Sequence, residues 1–230
     1  MKYIICSIAF SALLTACTIA QTEELNSLTD AEKKEGWKLL FDGKTKDGWR
    51  GYKKPDAPEK WVAEDGALKG KGGGDLMTEG RYDYYELSLE WTLPTNSNSG
   101  TIYHVAKTNG PSYVTGPEIQ VLSSMKVGNK NSCCSCYDLY GPTKDVLKPN
   151  AEWNHVVLKI MPNEHVEHWM NGEKVCEYTI GSDDWNERVA KSKWAKHEQF
   201  GKIKKGYICL QDHGNEVWYR NIKIREIKAE

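Results

Sequence analysis

Beyond its first 35 residues the chain alternates apolar and polar positions in short runs, without long stretches of helical period. From Tyr84 to Leu93, for example, Tyr85, Leu87, Leu89 and Trp91 alternate with Glu86, Ser88 and Glu90. Successive side chains of a strand point to opposite faces, so this pattern predicts a strand with one face in a core. Further strands are predicted over 101–106, 118–122, 153–161, 165–170, 174–180, 206–211 and 217–227. Asp65-Gly66 lies between the runs 60–63 and 67–69, and Asn171-Gly172 between two others. Both pairs tolerate positive φ and so mark tight hairpins. Gly70–Gly74 reads as a glycine-rich bend and Asn96–Gly100 as a turn cluster. Only 183–200, polar and Trp-containing, predicts a loop with a short helix. About ten short strands joined by hairpins imply an all-β fold, a jelly-roll sandwich of two antiparallel sheets.

The first 20 residues break this pattern. Lys2 precedes a short apolar run from Ile4 to Leu14, too short to span a bilayer. Leu14-Thr15-Ala16-Cys17 resembles a bacterial lipobox, in which the Cys becomes the lipidated N-terminus. The expected organisation is a lipoprotein signal over 1–20, a polar linker over 21–35 and one domain over 36–230. The chain would then sit in the bacterial envelope, touching the membrane through the lipid on Cys17 alone. Plain secretion with cleavage after Ala20 is the alternative.

Composition narrows the partners. The formal net charge of −1 gives no electrostatic reason to expect nucleic acid. Nine Trp and twelve Tyr stand against three Phe. Flat rings with a polar edge suit sugar faces, although large β-domains also bury them. Apart from Cys6 and Cys17 there are five cysteines: Cys133, Cys134, Cys136, Cys176 and Cys209. They lack the second ligand pair of a zinc motif, so a local disulfide or buried thiols is the expectation.

Strand alternation also sorts the polar candidates. Glu118 and Gln120 share one face, with Ile119 and Val121 on the other. Gln211 and His213 share a face, His104 opposes Tyr103, and His168 and Met170 oppose Glu167 and Trp169. Converging on one groove, such groups would suit polar recognition or a single metal ion. A conventional glycosidase needs two carboxyl groups across the scissile bond. The nearest match to the paired-carboxylate strand of sandwich glucanases, Glu118-Ile119-Gln120-Val121-Leu122, carries an amide at its second position.

Several segments together resemble the 3-keto-disaccharide hydrolase family. They are Leu40–Lys44 with Trp49, Asn98–Tyr103, Gly116–Gln120, Leu139-Tyr140, Glu152–Asn154, His168–Gly172 and Gly206–Asn221, and they span roughly Gly36 to Ile227. One departure is Ser123-Ser124, where the family often carries an Asp. The resemblance implies a concanavalin-A-like jelly roll and a carbohydrate substrate oxidised at C3. It also implies functional pairing with a sugar 3-dehydrogenase. On this basis Glu118, His168 and His213 are the catalytic candidates. Tyr103, His104, Gln120, Tyr140, Gln211 and Arg220 are the substrate-binding candidates, and Glu118 with Gln211 would hold a divalent metal. A non-catalytic lectin and a two-carboxylate glycosidase are the competing readings, since fold alone does not fix function.

Overall fold

The computed structural model describes residues 24–228. Its strands are β1 (Lys38–Leu39), β2 (Trp49–Gly51), β3 (Trp61–Glu64), β4 (Ala67–Gly70), β5 (Leu76–Thr78), β6 (Tyr85–Thr92), β7 (Asn98–Val105), β8 (Glu118–Leu122), β9 (Asn154–Ile160), β10 (His165–Met170), β11 (Glu173–Thr179), β12 (Tyr207–Leu210) and β13 (Val217–Glu226). An eight-stranded sheet runs β11-β10-β9-β6-β13-β4-β3, with β1 added on β13. A five-stranded sheet runs β2-β5-β12-β7-β8. The pairings are antiparallel, and the two sheets form the expected sandwich.

The tight hairpins fall where the turn residues predict them. Glu64 pairs with Ala67 across Asp65 (φ 50°) and Gly66 (φ 72°). Met170 pairs with Glu173 across Asn171 (φ 50°) and Gly172 (φ 87°). Positive φ at both central residues gives the twist that adjacent strands need. The Asn96–Gly100 segment departs from expectation. Its last three residues begin β7, because Asn98, Ser99 and Gly100 pair with Leu122, Val121 and Gln120.

Alternation decides which side chains meet. Leu87, Leu89 and Trp91 of β6, Val156 and Leu158 of β9, and Tyr219 of β13 share one core with Tyr103, Ile119, Val121, Ile208 and Leu210 of the smaller sheet. The other face of the smaller sheet carries Met77, Ile102 and Cys209 in a separate small cluster. The five cysteines of the domain are free thiols, all buried. The Cys133–Cys136 stretch lies along the edge of β8. Cys134 N–H donates to Gln120 O at 2.8 Å, and Gln120 N–H to Ser135 O at 3.1 Å.

The expected linker is in part docked. Asn26 and Asn221 exchange backbone-to-side-chain hydrogen bonds of 2.7 and 2.9 Å, and Asn26 Nδ2 donates to Gly66 O at 2.9 Å. Thr29 and Glu32 form a reciprocal capping box on helix α1 (Asp30–Lys34), which satisfies its first free N–H groups. Glu32 also pairs with Lys223 on the outer face of the larger sheet. Cys17 and the rest of the signal lie outside the described residues.

Strand β12 approaches β7 with no room for a side chain at its start. A Cβ on Gly206 would lie 2.4 Å from His104 C and 2.5 Å from its Cα. Backbone cannot swing aside as a side chain can. Gly206→Ala should therefore cost about 2 kcal/mol. A thermal melt should show a fall of roughly 5 °C; an unchanged midpoint would mean that the strands are not so closely set.

Candidate active site

A cavity of about 320 Å³ opens on the face of the smaller sheet that points away from the core. Glu118 and Gln120 of β8 form its floor with Asn98 of β7 and Gln211, just past β12. One wall is Lys193, Trp194 and Lys196 of a 3₁₀ turn (Lys193–Lys196), followed by His197. Tyr113, Tyr137 and His213 complete it. This wall follows helix α2 (Asp183–Ala190), whose Trp185 is buried.

Glu118 is only 5% exposed, and its carboxyl lies across β7 where no Cβ intrudes. At Gly100 a Cβ would come within 2.2 Å of Glu118 Oε1 and 2.8 Å of Cδ, so any larger residue there would displace the carboxyl. The Gln120 amide, oriented to satisfy its neighbours, donates to Glu118 Oε1 at 3.0 Å and to Ser99 O at 3.2 Å. The Gln211 side chain donates a second hydrogen bond to Glu118. Burial pushes the Glu118 carboxyl up to about 8. The positive charge of Lys193 and the Gln211 hydrogen bond oppose that rise, and the negative charge of Asp75 adds to it.

The loops around the floor are tied together beneath it. Asp75 accepts from the Ser112 hydroxyl, next to Tyr113, and from Asp212 N–H at 3.0 Å. Asp212 in turn accepts from Gly72 N–H at 2.9 Å, Gly74 N–H at 2.7 Å and Gly214 N–H at 3.0 Å. The loop carrying Gln211 and His213 is thus joined to the glycine bend and to the Tyr113 loop. Behind the opposite wall, Trp194 stacks on Phe200 with centroids 4.6 Å apart and donates Nε1–H to Tyr137 O at 3.0 Å.

Four sequence candidates therefore meet at the cavity: Glu118, Gln120, Gln211 and His213. The other five do not. His168 is fully buried between the sheets, with Nδ1 3.0 Å from Cys134 O and Nε2 2.8 Å from the Tyr178 hydroxyl. Burial lowers its pKa to about 4, so it is a neutral core imidazole rather than a cleft base. Tyr103 points into the same core and bonds the Tyr178 hydroxyl. His104, with φ 52°, packs edge-on against Tyr85 and sets Nε2 2.8 Å from Asp83 O. Tyr140 stacks on Tyr178 at 4.8 Å and donates to Asp184 at 2.7 Å, which brackets α2. Arg220 lies on the outer face of the larger sheet, bonded to Glu90 at 2.7 Å and stacked over Trp153 at 3.9 Å.

The donor set does not fit the expected divalent ion at Glu118 and Gln211. Both amides turn their N–H groups to the one carboxylate, which presents donors where a cation needs oxygen ligands. Among the described residues a His/acid group does occur elsewhere, as His165, Glu167 and Glu177 on the other sheet. There the Lys174 ammonium already bonds Glu167 at 3.1 Å and Glu177 at 2.7 Å.

Lys193, Trp194, His197, Tyr113 and Tyr137 lie outside the strands, where alternation assigns no face. Trp194 in an otherwise polar stretch was the available signal for that wall.

Comparison with known proteins agrees with the fold. Residues 36–225 match the 3-keto-alpha-glucoside-1,2-lyase-like domain. A 3-keto-disaccharide hydrolase of Bacteroides thetaiotaomicron is 31% identical over 239 aligned positions, covering 88% of this chain and 82% of that protein. A solved structure from Parabacteroides distasonis, described as a glycosyl hydrolase candidate, superposes with a TM-score of 0.83. It is 32% identical and covers 89% of this chain and 100% of its own. A second from that organism, described likewise, has a TM-score of 0.67 at 27% identity, over 83% and 99% of the two chains.

The buried carboxyl makes stability depend on pH. Folded Glu118 keeps its proton up to about 8, whereas in the unfolded chain it ionises near the ordinary carboxylate value. The folded state is thus penalised increasingly as pH rises from that ordinary value through about 8. Glu118→Gln removes the penalty. Its melting temperature should match wild type near pH ~4 and exceed it by a few degrees above pH ~8. Parallel melts of the two proteins across that range check this, and a constant difference would contradict the burial of an ionisable group.

Proposed function

This chain belongs to the 3-keto-alpha-glucoside-1,2-lyase-like family, and from that premise we propose that it cleaves 3-keto-glycosides with Glu118 as the group that takes the C2 proton. The observation that carries this reading is that Glu118 is the one carboxyl lining the cavity among the described residues. A two-carboxylate glycosidase has no second acid there to work with. The B. thetaiotaomicron relative, named for 3-keto-disaccharides, supports the substrate class.

The chemistry follows from the ketone. A carbonyl at C3 acidifies the C2–H bond, since the electron pair left behind spreads onto O3 as an enolate. The Glu118 carboxylate accepts that proton. The enolate then reforms the ketone, a C1–C2 double bond forms, and the C1–O bond breaks with its electron pair on the departing oxygen. That oxygen takes a proton, for which His213 at the rim is the donor in this reading. Water then adds its oxygen to C1 and gives its proton to His213, which restores the donor, while Glu118 returns the proton to C2; the sum is a net hydrolysis. Release before that addition gives elimination instead.

Two features of the cavity serve these steps. The Lys193 ammonium, fixed over the rings of Tyr137 at 3.9 Å and Trp194 at 4.5 Å, places positive charge where the enolate oxygen develops. A carboxyl near 8 is a much stronger base than an ordinary one once ionised, yet it still ionises near neutral pH. The amide donors of Gln120 and Gln211 hold it in one orientation. The substrate must come from an oxidoreductase that removes two electrons and two protons from the C3 carbinol. We further propose that Cys17 carries the lipid that holds the enzyme in the envelope.

Incubation with a 3-keto-glucoside and with its unoxidised parent tests the reading directly. Only the keto form should be consumed. Its kcat/KM should rise with pH and level off near 8, the value at which free-enzyme Glu118 ionises. Glu118→Gln should lower turnover by roughly a hundredfold to ten-thousandfold and abolish that pH limb. Consumption of the parent alone would favour a conventional glycosidase, and binding of either sugar without turnover a lectin. For the anchor, labelled palmitate should enter the wild-type chain in cells and be absent from Cys17→Ala; equal labelling would rule Cys17 out.

A further inference from the structure

The cavity is lopsided in charge. Two lysines, Lys193 and Lys196, and two histidines, His197 and His213, line it against the single carboxyl of Glu118. Residues three apart in a 3₁₀ turn eclipse one another, so Lys193 and Lys196 project along the same wall. Neither ammonium forms a salt bridge among the described residues. Lys193 acts through charge on Glu118 and on Asp138, but Asp138 is bridged by Lys130 at 2.7 Å and takes its hydrogen bond from the backbone N–H of Lys193 at 3.1 Å. Elsewhere on this protein exposed lysines are commonly partnered, as Lys144 is by Glu173, Lys191 by Glu187 and Lys204 by Glu164.

An enolate accounts for one positive charge, that of Lys193. It leaves Lys196, exposed on the same turn, without a counterpart among the described residues. A second negative charge on the ligand would supply it. We propose that the cleft prefers 3-keto-glycosides whose leaving group is itself anionic, bearing a carboxylate or a sulfate that lies against Lys196. This rests on the 3-keto-glycoside reading above and adds the charge of the aglycone to it. A cleft lined by one sign of charge also concentrates oppositely charged substrate before contact, and that effect weakens with salt.

The test uses two 3-keto-glucosides differing in one charge, those of 4-hydroxybenzoate and of its methyl ester, with wild type and Lys196→Gln. The two leaving groups differ in intrinsic reactivity, so the decisive quantity is how the acid-to-ester ratio of kcat/KM changes between the proteins. That comparison cancels the chemistry of departure. The ratio should fall about threefold to tenfold in Lys196→Gln, and should fall similarly for wild type at high salt. Lys196 is exposed, and matching thermal melts verify that the variant is folded. A ratio identical in both proteins and unmoved by salt would overturn the anionic preference while leaving 3-keto-glycoside cleavage intact. Failure of wild type to consume either compound would overturn both.

Discussion

An ionised carboxyl removed from water forfeits hydration worth on the order of several kcal/mol, and the surroundings of Glu118 are arranged around that cost. Its side chain lies on the bare backbone of Gly100, where any Cβ would collide with it. That position shields it from solvent. Two amides, Gln120 on the same strand and Gln211 just past β12, return part of the lost hydration as hydrogen bonds. Lys193 offsets more of the cost through charge alone. The result is a group pushed up to about 8, in contrast to Glu86 and Glu167, which hydrogen-bonded partners hold low against their burial.

The sandwich exists to hold these few atoms still. Tyr219 of the larger sheet meets the Ser99 hydroxyl at 2.7 Å, and Ser99 donates to Gln211 O at 2.6 Å, so a core residue fixes the strand end that presents Gln211. On the other side an aromatic series runs outward from the core. Tyr178 stacks on Trp185 at 5.3 Å, Trp185 on Phe200 at 6.1 Å, and Phe200 on Trp194 at 4.6 Å. The wall that carries Lys193 is thereby continuous with the packed interior. The short helix α2 owes its place to this series through Trp185, since an eight-residue helix is marginal by itself.

The parts of the site legible in the sequence are those governed by strand period and turn chemistry. Glu118 with Gln120, and Gln211 with His213, were paired correctly by alternation, and the hairpins at Asp65-Gly66 and Asn171-Gly172 by their need for positive φ. Alternation divides a strand into two faces but does not say which face is the core. His168 fell on the wrong side of that ambiguity. Its neighbours Glu167 and Trp169 face outward, joined by a hydrogen bond of 2.8 Å, while His168 is satisfied inside by a carbonyl and a phenol. Tyr103 failed for the same reason, and Arg220 because the two sheets have separate outer faces. His104 broke the rule itself, with a positive φ that ends the alternation of β7. Lys193 lies beyond local reasoning: Trp194 marks its polar stretch as having a buried side, but nothing local says which strand that stretch will cover.

The amide at position 120 now has a physical reason. A glutamate there would set two carboxyl groups side by side on one strand face, each raising the pKa of the other, so that one would hold its proton far above neutral. Such a pair suits chemistry that needs an acid and a base at once. Abstraction of a proton made acidic by a neighbouring ketone needs only one group, able to take a proton and return it. Gln120 keeps the shape of glutamate while supplying an N–H that favours the ionised form of Glu118. Burial favours the protonated form. The value of about 8 is set mainly by burial, with Lys193 and Gln211 drawing it down and Asp75 adding to it, and it is reached with no second acid lining the cavity among the described residues.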